Sequence, residues 1–252
     1  MSLIALTSAA GAPGVTTTTL GLACTWVRPA LAVEADPVGG SPMLAGYFRG
    51  FQAPAQSVVD LLMAHRGGRL TEQLAASQIA IENTAASVLP GPRSHAQAHS
   101  ALELWEPLCL AWRARQAETD VLIDAGRLGM QSYAEPLLRL VDLILLVTRS
   151  DLPSLAAARQ WGERVTAERR LHPEAPPWAV VLVAPGRPYT AHEIAAALRL
   201  PVVATLGWDP RGASRYAYGT PGRAGRYARE LARCGTQIRA LLGAADLVPK
   251  GK

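Results

Sequence analysis

Lysine is almost missing from this chain: only two of its 25 basic residues are lysine, and both fall in the last three positions. Cysteine is scarce as well. Cys24, Cys109 and Cys234 are widely separated, odd in number and form no CxxC pair. That excludes a disulfide framework and predicts reduced, buried thiols in a cytosolic protein. Apolar runs are short. None approaches the roughly eighteen residues of a membrane span, and the longest, Val141–Val147, holds Asp142. The N-terminus turns apolar at Leu3 with no basic stretch before it, so it reads as a strand rather than a signal peptide. Histidine offers no catalytic arrangement. His95 and His99 are four apart on an expected helix, the spacing of a metal pair, but no third ligand is evident nearby. There is no internal repeat and no low-complexity linker, so residues 1–252 are expected to form one domain.

What is present alternates. Hydrophobic residues make up 49% of the chain, enough for a sizeable core. Short apolar runs at Leu3–Thr7, Leu31–Val33, Ala86–Leu89, Val121–Ile123, Leu143–Val147, Ala179–Val183 and Val202–Leu206 read as buried strands. Amphipathic stretches between them read as helices. The expectation is an α/β fold: a mostly parallel, doubly wound sheet of about seven strands with helices on both faces.

Charge is uneven. From Leu200 onward nine basic residues face three acids, so this last fifth exceeds the whole chain's net +5. Arg211, Arg215, Arg223, Arg226, Arg229 and Arg233 are interleaved with Tyr216, Tyr218 and Tyr227. Arginine with aromatics suits nucleic acid, and the same charge suits an anionic membrane surface or an acidic protein face. A solvated, arginine-rich helix explains the pattern equally well. From Tyr227 on, Leu231, Cys234, Ile238, Leu241 and Leu242 share one helix face. Residues 210–252 are therefore expected to pack on the sheet as a basic helical region.

In a parallel sheet, ligands sit beyond the carboxyl ends of the strands. The first such loop, "AAGAPGVTT" after Leu3–Thr7, has the glycine rhythm of a phosphate loop, with Gly11 and Gly14 and the hydroxyls of Thr16 and Thr17. It has no lysine, and Pro13 removes one amide donor. The second loop, "VEADPVGGS", sets Glu34 and Asp36 at the rim beside the first. Carboxylates there can hold magnesium through water or orient an attacking water. Alternatively, Asp36-Pro37 merely starts a turn. The third, "DVLIDAGRLG", ends a strand on Asp124, either a metal-shell acid or a strand cap.

Taken in order, the glycine loop, "EADPVGG", "VLIDAG", "DLILLVTRSDLPSLAAAR" and "VVATLGWDP" resemble the ParA/MinD family of deviant phosphate-loop ATPases, from Leu3 to about Asp209. Members of that family dimerise around ATP and place or partition cargo such as plasmids, chromosomes, division-site proteins or pilus machinery. They do so while cycling on DNA or membrane. The resemblance implies ATP and Mg2+ as ligands, with Gly11, Ala12, Pro13, Gly14, Val15, Thr16 and Thr17 cradling phosphates. It implies Asp36 as the catalytic switch acid, and Thr16, Asp36 and Asp124 as the magnesium set. It further implies a homodimer with a protein partner in a positioning, pilus or secretion system. Such a protein would be cytoplasmic, or peripheral at membrane or nucleoid.

The loop departs from the family's K-G-G-x-G-K-[ST]. Ala10 stands for the first lysine and Val15 for the second, or else "GAPGV-TT" is an ordinary loop with its Gly-Lys pair deleted. "VAPGRP" replaces the family's adenine-side asparagine. Hydrolysis is therefore expected to be weak or absent. Arg127 is the first candidate for a replacement cation, with Arg149 and Arg187 behind it, and a partner could supply one instead. A nucleotide-independent DNA-binding module is the remaining reading.

Overall fold

The computed structural model describes residues 1–52, 56–115, 118–222 and 225–246. Among them, one sheet is built from β1 (Leu3–Ser8), β2 (Ala30–Glu34), β3 (Ile79–Ala80), β4 (Ala86–Leu89), β5 (Asp120–Arg127), β6 (Leu143–Arg149), β7 (Trp178–Val183) and β8 (Val202–Leu206). Its order is β3-β4-β2-β5-β1-β6-β7-β8, parallel except for the antiparallel edge strand β3. The expected count was about seven. The addition is β3, whose two residues are too few to carry a hydrophobic pattern.

The helices are α1 (Val15–Thr25), α2 (Val58–Arg66), α3 (Leu70–Gln73), α4 (His95–Ala114), α5 (Glu135–Leu138), α6 (Leu152–Leu171), α7 (Ala191–Leu198), α8 (Pro210–Tyr218) and α9 (Arg226–Asp246), with a π-helical turn at Met43–Tyr47. They cover both faces of the sheet, so its inner strands are apolar on both sides. Alternate residues serve different cores: Leu3 and Ala5 pack towards α2, α4, α6 and α7, whereas Ile4 and Leu6 pack towards α1, α8 and α9. No helix among the described residues is long and apolar enough to cross a membrane. The three cysteines are free, and burial pushes each thiol up to about 12, so each is held as the neutral thiol near pH 7.

Register fixes what meets at the carboxyl edge. Asp124 in β5 lies opposite Leu6 of β1 on one side and Glu34 of β2 on the other. Thr7 Oγ1 donates to the Gly126 carbonyl at 3.0 Å, and the Leu128 amide donates to Ser8 O at 2.8 Å, which tie the two strand ends together. At the opposite edge the buried Asp120 carboxylate accepts from the Ser2 amide and from Trp26 Nε1, each at 2.9 Å.

The C-terminal helix is part of this core. Tyr227, Leu231, Cys234 and Ile238 of α9 are buried against α1 and β8. Leu231 seats over Gly21 of α1 so closely that a Cβ there would fall 2.7 Å from its side chain. Leu241 and Leu242 are partly buried on the same face. Arg223, Lys250 and Lys252 lie outside the described residues. Truncating the fully buried Leu231 to alanine should destabilise the protein by about 2–5 kcal/mol, read as a lower urea midpoint at unchanged slope.

Candidate functional site

The turn from β1 into α1 has the backbone of an anion cradle. Gly14 caps α1 in the left-handed region (φ 100, ψ 35), which glycine adopts without strain, and Ala12 sits at φ 52. No side chain caps the helix and its first turn holds no acid. The amides of Val15, Thr16 and Thr17 therefore have no intrahelical acceptor, and the positive end of α1 opens onto the loop. Val15, at the position of the expected lysine, is 7% exposed and packs into the second core, where it supplies contact instead of charge. Pro13 is buried, while Gly11 and Gly14 border open space.

Two acids meet beside this turn. Asp124 is fully buried; its Oδ1 accepts from the Gly126 amide at 2.9 Å, and Oδ2 has no hydrogen-bond partner. Burial pushes its carboxyl up to about 7, against the pull of the Thr16 hydroxyl and with a further push from Asp36. Asp36 lies so close that a Cβ on Gly126 (φ 66) would stand 2.6 Å from its Cγ. Only glycine fits at 126, a requirement visible in the sequence only as "DAG". Asp36 Oδ1 also accepts from the Val38 amide at 2.9 Å, so the Asp-Pro turn and the site acid are one structure. Glu34 differs from expectation. It is 1% exposed instead of standing at the rim. It accepts from Ser41 Oγ, from the Met43 amide at 3.0 Å and from the Gly91 amide at 3.0 Å, so it braces the loop after β2. Its burial pushes its carboxyl up too.

A cavity of about 630 Å3 runs across the strand ends from these acids, over the loop, to β8. Thr16, Thr17, Asp36, Gly126 and Arg127 line one end; Arg149, Val183, Trp208, Tyr218 and Tyr227 line the other. Arg127 reaches the cavity, yet its guanidinium is 2.7 Å from Met130 Sδ. Arg149 turns to the loop itself and donates to the Ala12 carbonyl at 2.8 Å. The sequence places Arg127 ahead of Arg149 and does not single out Trp208, because the pairing that brings β6 and β8 to this cavity is non-local.

The unpartnered Asp124 Oδ2, the Thr16 hydroxyl and the adjacent Asp36 fit a hard cation that takes oxygen ligands. Among the described residues no three His, Cys, Asp or Glu side chains gather as a metal cluster. Such an ion would thus draw remaining ligands from phosphate and water. The two helical histidines go elsewhere: His95 Nδ1 lies 3.3 Å from Pro37 O, and His99 Nδ1 lies 3.2 Å from Ser132 Oγ.

The chain overlays the cell-division ATPase MinD of Pyrococcus furiosus over 95% of its length and 99% of that chain, with a TM-score of 0.74 at 19% identity. The fold is that of MinD and ParA. MinD of Pyrococcus horikoshii complexed with Mg-ADP gives a TM-score of 0.73 at 18% identity, covering 96% and 98% of the two chains. A ParA-family ATPase from Chlorobium tepidum gives 0.72 at 15%, covering 94% and 98%. No protein-family model matches the chain, and no curated protein sequence matches it.

The raised Asp124 makes a pH prediction. Because its folded value of about 7 lies above its ordinary 3.8, the folded state holds the proton more tightly. Its contribution to stability is thus full below about pH 4 and lost as pH rises through 7. Asp124→Asn should flatten that part of the fall when urea midpoints are compared from pH 4 to 8, leaving the part in the same direction that Glu34 contributes.

Proposed function

We propose that the chain is a MinD/ParA-like spatial organiser or assembly factor that binds a nucleoside triphosphate with Mg2+ and hydrolyses it slowly or not at all. The observation that carries this reading is the cavity beside α1, where the amide cradle and both acids stand together while Val15 is committed to the core. The Mg-ADP held by the Pyrococcus horikoshii MinD structure supports the choice of ligand.

In this reading the amides of Val15, Thr16 and Thr17 hold the phosphates. Thr16, Asp36 and Asp124 hold the magnesium, which when bound neutralises phosphate charge. Asp36 orients water at the rim. The charge that develops on the transferring phosphoryl group meets no lysine. Losing one such donor slows a phosphoryl or acyl transfer by about 100- to 1,000-fold, while ground-state binding rests on the amides. The protein then works through its bound state: a nucleotide-dependent homodimer that offers a surface to a protein of a positioning, pilus or secretion system.

A fluorescent ATP analogue should bind the unaltered protein only with Mg2+. Asp36→Ala and Asp124→Ala should each weaken binding about tenfold or more, and turnover should stay at least a hundredfold below that of a lysine-bearing MinD assayed in parallel. Turnover equal to that MinD would favour an active ATPase drawing its cation from Arg127 or a partner. Absence of both binding and nucleotide-dependent dimerisation would sink the proposal.

Exposed arginines support a second contact. Arg211 on α8 and Arg229 and Arg233 on α9 stand away from the core, whereas Arg226 pairs with Glu230 at 2.8 Å. We assign this face to an acidic surface, with duplex DNA as the first to try. Binding should weaken steeply with salt, and neutralising Arg211, Arg229 and Arg233 together should lower the slope of log K on log salt by about 3. Full retention of affinity in the triple variant would remove DNA from this reading.

A further inference from the structure

A phosphate loop without lysine leaves the phosphates to backbone dipoles unless another cation reaches them. The fold provides one from the neighbouring strand. β6 pairs directly with β1, with Thr7 opposite Leu146, so Arg149 leaves the sheet three residues further on, beside the loop. Its Nη2 donates to the Ala12 carbonyl at 2.8 Å. This hydrogen bond ties the guanidinium to the loop backbone. Its Cζ lies 5.1 Å from the ring centroid of Trp208, which follows β8. Stacking on an indole holds the guanidinium plane in place. Its Nε is sealed from solvent and has no partner. One donor is thus spent on the loop, while the group itself lines the same cavity as Gly11–Thr17. Arg127, by contrast, is held at Met130.

We propose that Arg149, fixed by Ala12 and Trp208, is the cation that reads the phosphates of a nucleoside di- or triphosphate in this lysine-free loop. The role rests on the nucleotide reading given above. It is a binding and positioning role: the guanidinium adds charge in a fixed direction, with the indole supplying the rigidity that a flexible lysine lacks. The geometry also suits arginine, since a planar guanidinium can lie over Trp208 while its in-plane donors keep fixed directions towards Ala12 and a phosphate oxygen.

The test is a titration of AMP, ADP and ATP with Mg2+ into the unaltered protein and into Arg149→Gln, Arg149→Lys and Trp208→Ala. In the unaltered protein affinity should climb with each added phosphate. In Arg149→Gln the climb from AMP to ATP should flatten by about tenfold or more while AMP affinity changes less than twofold. Arg149→Lys should restore part of the climb. An equal loss for all three nucleotides would mark Arg149 as a structural brace and overturn the proposal, as would an unchanged climb. Should Arg149→Gln not fold, Trp208→Ala decides: the same phosphate-dependent loss supports the role, and unaltered ADP and ATP binding overturns it. If the unaltered protein binds neither ADP nor ATP, the nucleotide reading itself fails and this role with it. That outcome is read before any variant is compared.

Discussion

A carboxylate buried with one oxygen unpartnered is the constraint around which this structure is arranged. Asp124 lies within β5, paired between β1 and β2, with its Oδ2 unpartnered. Burying an ionised carboxylate is unfavourable unless it gains a proton, a hydrogen-bond set or a cation. The fold supplies one hydrogen bond from the Gly126 amide, then places Asp36 alongside and Glu34 on the adjacent strand. Two neighbouring acids, with a third on the adjacent strand, make the site unfavourable for further negative charge on its own.

The surrounding geometry follows from that crowding. Gly126 is required on two counts: it takes a left-handed conformation, and any side chain there would strike Asp36. Glu34 is drawn away from the cavity by Ser41 and by two amides, one of them from Gly91 beyond β4. The acids thereby divide into Asp36, which lines the cavity, Asp124, buried behind it, and Glu34, which braces the loop after β2.

The sheet was legible in the sequence because parallel strands covered on both faces read as continuous apolar runs, "LILLV" and "AVVLV" among them. The candidate loop and Asp36 could be located in the sequence because each follows its strand within a few residues, and Asp124 because it closes the apolar run Val121–Ile123. The remaining features were set by distant pairings. Glu34 has its partners at 41, 43 and 91, so its spacing from Asp36 gave no warning that it turns inwards. Arg127 stood out for its nearness to Asp124 in the chain, whereas Arg149 reaches the loop only because β6 lies against β1. Trp208 carries no local pattern at all; its place is fixed by β8 standing two strands beyond. Tyr216 is buried and packs against Tyr227 at a centroid separation of 6.2 Å, so the aromatics that suggested nucleic-acid stacking are partly core.

The contact between Gly21 and Leu231 has a mechanical meaning. The helix α1 is a rod of eleven residues, about 16 Å long, whose first turn forms the anion cradle and whose body lies locked under α9. Packed interiors transmit small displacements instead of absorbing them. A tug of a few tenths of an ångström on the cradle would thus be felt by the arginine-bearing outer face of α9. The glycine turn after β1 and the basic helix α9 share one strut.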